Sequence, residues 1–476
     1  MIAIDGAYLV NGEPTAAILE SVVAIHNTNC ANRLDELQEI YLLSHEISER
    51  TRLSALPNNK LVHDFPGYIA TMASGYLVGR PVQYMPQDTD KTAFQAITEA
   101  MDYAKTDCVD IEIAVDSSVF GRGVEIVYSD AKSRPRTSQI SPRSAFVVYD
   151  DTVEHKPLFG VLKTIKTDEA LSNIGTKITV YTSIYEIYYE QMNGDIMKET
   201  GRKEHYFGEV PMVEYWNNEN ETSDFERVQT LIDAYDRLQS DRLNDKQQFT
   251  DSILYMKGVG ALRADDVEAV GDDATEAEEA DYDLKTAMTD AELLRHTRTL
   301  FLPSDGEAGF ITKPDVETGN EVLRKSYSND IHKFSLVPDL TDENFAGVSS
   351  GVAMKFKLLG LEQLTKIKER YFRDGLRNRL LLFANFLGKK GAAAVDVDKV
   401  QITFSRSLPV NDLEIAQTVQ TYKDILPDEM LLSMIPSVED ADKALKKLNK
   451  QRVESVKRQA EAFMPYPNAN DTEPTA

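Results

Sequence analysis

Residues 337–360, VPDLTDENFAGVSSGVAMKFKLLG, change character halfway along. The first half is acidic and loop-like, with Pro338, Asp339, Asp342, Glu343 and Gly347, and it closes on Ser349, Ser350 and Gly351. From Val352 a basic, helix-forming run begins and continues to Leu387. A short acidic loop is thus mounted on the front of one of the longest predicted helices in the chain.

Outward from this stretch, helix signals on the N-terminal side start near Val316 and run through NEVLRKSYSNDIHKFS. Before them, RTLFLP and GFITKP predict a hairpin. Residues 265–292 hold about a dozen acidic residues and only Lys285 as a base, the composition of an exposed insertion. Further upstream, Ser223 and Glu226 have capping-box spacing. There Phe225, Val228, Ile232, Tyr235 and Leu238 form an apolar helical stripe. The stripe fades in QSDRLNDKQQ, 239–248, and Phe249, Ile253 and Met256 restore it. On the C-terminal side, VQITFSRSLP reads as a strand and helix starts follow at Asn411, Asp428 and Ser437. The last helix ends near Phe463, and the composition of the remaining residues predicts a disordered tail.

The first half mixes both periods. Residues 33–50 place Leu34, Leu37, Ile40, Tyr41 and Ile47 at helical spacing. Leu61 to Tyr76 form a second apolar segment, stopped by Gly79 and Pro81, and 91–104 predict a third, short helix. Val109, Ile111, Ile113 and Val115 alternate with Asp110, Glu112 and Ala114, which predicts a strand. VEIVYS, AFVVYD, LFGVLKTI, KITVYTSIYEIYYEQM and EHYFGEVPMVEYW extend this into a β-meander.

A chain of 476 residues exceeds what one core usually serves, and its 42% apolar content is that of a folded protein. The net charge of -26 repels polyanions, so tight DNA binding by an overall basic surface is a poor fit. Cys30 and Cys108 cannot build a disulfide framework, which points to a reducing compartment. The start of the chain lacks a secretory pattern and no apolar run reaches bilayer-spanning length, so synthesis in the cytosol is expected.

Chemistry is hard to find. No phosphate-cradling G-x-x-x-x-G-K-[ST] run is present, so ATP work would belong to a partner. HEISE at His45 starts like a zinc-binding helix but lacks the second imidazole one turn on, and a solvated helix face is the better reading. Gly121 and Gly123 fit a tight turn between strands better than a nucleotide fingerprint. Adjacent acids such as Asp150 with Asp151, or Asp272 with Asp273, point apart on a strand and make poor metal pairs. No cofactor is expected. A scaffold or binding role remains, against two rivals: a metal-dependent nuclease or hydrolase, and a monomeric scaffold or adaptor.

Four segments, in this order, resemble the portal proteins of siphovirus-type tailed bacteriophages. They are LPNNKLVHDFPGYIATMASGYLVGRPVQY, FGEVPMVEYWNN, LIDAYDRLQSDRLNDKQQFTDSILYMKG and FSLVPDLTDENFAGVSSGVAMKFKLLGLEQLTKIKERYFRDGLRNRL. The resemblance implies an α+β portal fold with wing, two-helix stem, clip and helical crown, assembled as a ring of about a dozen subunits. Its parts would be a wing at 1–222, stem helices at 223–258 and 316–335, and a clip at 259–315. A tunnel loop would occupy 336–351, a long kinked helix with the wing return 352–399, a crown 400–463, and the tail 464–476.

The implied activity is non-enzymatic. The ring at the capsid portal vertex would pass DNA during packaging and ejection. Its partners would be the terminase large subunit, head-tail adaptors, and the major capsid and scaffolding proteins. Assembly would take place in the host cytoplasm, without a membrane. Pro338, Asp339, Asp342, Glu343, Asn344, Phe345 and Val348 would form the DNA-channel loop, whose carboxylates repel phosphates and let the duplex slide. Gly360 would mark the kink. The polar gap at 239–248 would be explained by stem helices that pack on neighbouring subunits and line a wet channel. The basic residues of the long helix, from Lys355 to Arg379, are expected to pair with acids rather than bind DNA.

Overall fold

The computed structural model describes residues 1–53, 56–87, 91–192, 197–250, 253–257, 307–311, 317–341, 351–406, 412–423, 425–433, 435, 438 and 441–462. The acidic stretch at 265–292, RTLFLP, Ser437 and the predicted tail lie outside the described residues.

In chain order, β1 (Ile2–Ile4) precedes α1 (Ala16–His26), a π-helical turn at Asn27–Ala31 and α2 (Asn32–Tyr41). Next come α3 (Phe65–Val78), β2 (Gln83–Pro86), α4 (Lys91–Ala104) and α5 (Thr106–Phe120). The strands β3 (Arg122–Ser129), β4 (Pro135–Ile140), β5 (Ala145–Asp150) and β6 (Pro157–Thr167) follow. They lead to β7 (Asn173–Tyr181), β8 (Tyr185–Met192), β9 (Lys198–Glu204) and β10 (Met212–Trp216). Then come α6 (Gln229–Thr250), β11 (Ile253–Lys257), β12 (Glu307–Ile311), α7 (Glu317–Ser335), α8 (Gly351–Lys357) and α9 (Leu359–Lys389). The chain closes with β13 (Val400–Thr403), α10 (Asp412–Tyr422), α11 (Asp428–Ser433) and α12 (Ala441–Ala462).

Two compact units form, and they interleave along the chain. The first comprises Met1–Leu37, Tyr68–Phe225 and Leu336–Ala476; the second comprises Gln38–Gly67 and Glu226–Ser335. Residues 38–67, expected inside the 1–222 segment, therefore fold with α6 and α7.

In the first unit, β5 to β9 form an antiparallel meander with β1 added parallel to β5; β9 is not among the predicted strands, and β3 and β10, expected in the same meander, pair in a separate sheet. Alternate residues of this sheet, including Phe146, Val148, Phe159 and Val161, are buried in one cluster with Leu19 and Val22 of α1. A second sheet runs β10-β3-β4, and β13 returns to pair with β2 through Ile402 opposite Tyr84. The largest cluster gathers Ile113, Val127, Tyr215, Phe372, Leu376 and Phe383. Gly375 permits that packing, since a Cβ there would lie 2.4 Å from the Tyr215 ring.

Four further expectations need correction. Val109 to Val115 belong to α5, not to a strand: the buried positions include Val109, Asp110, Ile113, Ala114, Ser117 and Ser118, one helical face with polar members. Gly121 joins that helix to β3 rather than one strand to another, as its C-cap with φ 82°. The helix expected over 33–50 ends at Tyr41, and Glu46–Glu49 form a separate 3₁₀ turn. Ile253 and Met256 are strand residues, pairing with Ile311 and Ala308; the described partner of GFI in GFITKP is thus ILYMK.

Candidate functional site

The root of the acidic loop is built by residues 336–341 of the first unit. Leu336 takes a left-handed backbone (φ 63°) and Val337 is fully buried. The Tyr68 hydroxyl of α3 donates to the Pro338 carbonyl at 2.9 Å and accepts from the Leu340 N–H at 3.0 Å. Asp339 turns its Oδ1 toward Thr341, accepting from the amide at 2.9 Å and the hydroxyl at 2.6 Å. Burial, reinforced by the Asp339 charge, raises the Tyr68 phenol above its usual value and so keeps it a neutral donor and acceptor. Pro338 and Asp339 are thus placed in the fold, whereas Asp342, Glu343, Asn344, Phe345 and Val348 lie outside the described residues.

Beyond the loop, the helical run is interrupted at Leu358, two residues before Gly360. Gly360 itself lies in the first turn of α9, where a Cβ would sit 3.3 Å from the Leu336 carbonyl oxygen. Residues 336 and 360, on either side of the acidic stretch, are therefore close neighbours.

Buried charges fix α9 to the sheets. Lys368 pairs with Asp224, which also accepts from Ser118 Oγ at 2.5 Å. Arg379 Nε donates to both oxygens of Glu125, at 2.7 and 2.9 Å, and its Nη1 lies 2.6 Å from Asp110 Oδ1. The Tyr215 hydroxyl and Thr137 donate to the same Glu125. Two carboxyls thus face one guanidinium away from water. Burial pushes the Asp110 carboxyl up to about 6, although Arg379 pulls it the other way. At the surface of α9, Lys366 pairs with Glu362 and Arg373 with Glu369, while Arg370 and Arg377 are exposed. Pairing with acids, expected for this basic run, holds for Lys366, Lys368, Arg373 and Arg379.

The polar gap of α6 has an explanation inside its own unit. Asp236, Ser240 and Asn244 are buried, and they face residues 45–63 of the same chain. The His63 N–H reaches Asp236 Oδ1 at 3.0 Å, the Leu61 N–H reaches Ser240 Oγ at 2.9 Å, and the Asn59 N–H reaches Asn244 Oδ1 at 2.7 Å. Every second residue of an extended strap thus meets every fourth residue of the helix. Two extended residues span about 6.6 Å and four helical residues about 6.0 Å, so the two stay in step over this length. These bonds satisfy Asp236, Ser240 and the Asn244 oxygen inside the unit, whereas the buried Asn244 Nδ2 has no hydrogen-bond partner among the described residues.

One end of the strap carries a charge. His45 is buried rather than on a solvated helix face, with Nδ1 2.6 Å from Asp236 Oδ2 and Nε2 3.2 Å from the Ile40 carbonyl. Both ring nitrogens face acceptors, an arrangement that favours the protonated ring over either neutral tautomer. Burial opposes that charge, but the hydrogen bond and negative charge of Asp236 outweigh it, and the His45 pKa stands above its ordinary value. Asp236 also accepts from His63 Nδ1 at 2.7 Å, and its pKa is held below the usual carboxylate range despite burial. Sequence spacing carried no signal for the pairing of Tyr68 with Pro338 or of His45 with Asp236, because those partners lie far apart in the chain.

Among the described residues no cluster of His, Cys, Asp and Glu is placed to hold a metal ion, and no helix is long and apolar enough to cross a membrane. An α+β chain with a pinned acidic loop ahead of a long anchored helix is the arrangement to be placed among known proteins. The family model for phage portal proteins of the SPP1 Gp6-like type matches residues 21–458, and the chain belongs to that family. It is 21% identical over 470 residues to the portal protein of Bacillus phage SPP1, covering 92% of this chain and 87% of that protein. Over 246 residues it is 27% identical to the portal protein of Clostridium phage phiCD119, covering 51% of this chain and about half (49%) of that relative's length. Portal proteins are structural components of the virion rather than a class of enzymes.

Proposed function

We propose that this protein forms the ring-shaped DNA channel at one capsid vertex, through which a terminase motor packages the genome and from which it is later ejected. Head-tail adaptors dock on the same ring, and the major capsid and scaffolding proteins surround it. The observation that carries this reading is the acidic stretch itself: its described root, 336–341, is fixed by Tyr68, and in sequence it runs into a helix held by buried ion pairs. Carboxylates presented in a ring repel phosphates, which favours sliding over capture. Segment by segment, α6 and α7 are the stem, 259–315 the clip, 336–351 the tunnel loop, and 400–463 the crown.

Exposed apolar side chains support lateral assembly. Val322 and Phe334 on α7, and Phe356 on α8, are 64%, 55% and 72% exposed. A second copy would cover them in a closed ring of about a dozen subunits. The test is the triple substitution D339K/D342K/E343K in a packaging assay: slowed or stalled packaging, worse at low salt, supports the channel loop. Normal packaging at low salt removes it.

A further inference from the structure

We propose that Tyr68 is the positioning residue at the root of the acidic loop: its hydroxyl, bridging the Pro338 carbonyl and the Leu340 N–H, fixes the backbone on both sides of Asp339. This rests on reading the stretch as the channel loop. In a parallel β-bridge, one residue of a neighbouring strand receives the N–H and satisfies the C=O that flank its partner. Here a single phenolic oxygen does both, at 2.9 and 3.0 Å, with Asp339 between the two bonds. The bracket fixes the backbone on both sides of the first carboxylate, and that carboxylate is held in turn by Thr341.

The local chain by its own preferences does not favour this geometry. Leu336 has a left-handed backbone, which a branched apolar residue keeps only when its surroundings impose it. The burial of Val337 supplies one constraint just after it, and the Tyr68 bridge supplies the next. Tyr68 comes from α3, at a separation of 270 residues from Pro338, so it ties the loop to the body of its unit rather than to adjacent turns. The aromatic ring is half-buried, and Tyr68→Phe would keep its packing while deleting the bridge.

The experiment compares wild type, Y68F and a chain carrying 3-fluorotyrosine at position 68, all full-length and assembled, by amide hydrogen exchange at Leu340 and by packaging rate. Loss of one hydrogen bond predicts exchange at Leu340 about fivefold faster in Y68F, slower packaging, and recovery of both by 3-fluorotyrosine, which restores the hydroxyl. Unchanged Leu340 exchange in Y68F overturns the proposal. Faster exchange with unchanged packaging also overturns it, and the lysine variant then separates two causes. If D339K/D342K/E343K stalls packaging, the channel reading stands and only the role of Tyr68 falls; if it packages normally, the channel reading falls as well.

Discussion

Replacing Asp236 with asparagine changes one oxygen to an amide and breaks a buried charge pair. The Asp236 and His45 side chains are 0% and 1% exposed. The introduced asparagine could keep the two His63 bonds on its remaining oxygen, but its amide hydrogens would then face the His45 Nδ1–H, donor against donor. His45 would either stay charged without its partner, at a cost of about 3–5 kcal/mol, or give up its Nδ1 proton and accept from the introduced amide, which exchanges a charge-assisted bond for a neutral one at about 1–2 kcal/mol. The cheaper route decides the outcome, so the expected result is a loss of about 1–2 kcal/mol in the local stability of the strap, read as faster amide exchange at Asn59, Leu61 and His63.

The pH dependence has a definite sign. Because the folded His45 pKa is raised, its contribution is fully present below the ordinary value of 6.5 and is lost as pH climbs through the higher folded value. The depressed Asp236 pKa gives stability that is present above the ordinary carboxylate value and lost as pH falls through the folded one. Wild-type protection of the strap should therefore peak between these limits, and D236N should flatten the profile. A variant within about 0.5 kcal/mol of wild type, with the same pH profile, refutes the buried imidazolium.

Arg379→Met leaves Glu125 and Asp110 buried without their cation and should destabilise the first unit by about 3–5 kcal/mol, measured by denaturant unfolding. Unchanged stability would mean that the carboxyls are already neutral. Negative-stain electron microscopy of the purified protein should show closed rings, whereas a monodisperse monomer in native mass spectrometry across salt and concentration would remove the basis for the channel.

Elements whose apolar period is uninterrupted could be read directly from residue order. The strands from Ala145 to Met192 and helices α3 and α4 follow from alternation or helical spacing, because apolar residues make up nearly all of their buried positions. Where polar side chains share a buried face the period is hidden: α5 buries Asp110, Ser117 and Ser118, and its remaining apolar residues alternate like a strand. The acidic loop was legible as composition, and its meaning came from resemblance rather than from pattern.

What holds the site was settled by contacts in three dimensions. Tyr68 meets Pro338, Asp224 meets Lys368, and Asn59 meets Asn244 across separations of 270, 144 and 185 residues. A hydrogen bond or ion pair is set by distance and direction in space, whereas a linear sequence records only type and order. Asp236 is an ordinary acid on a polar stretch of helix until the strap at 59–63 lies across it and His45 removes it from water.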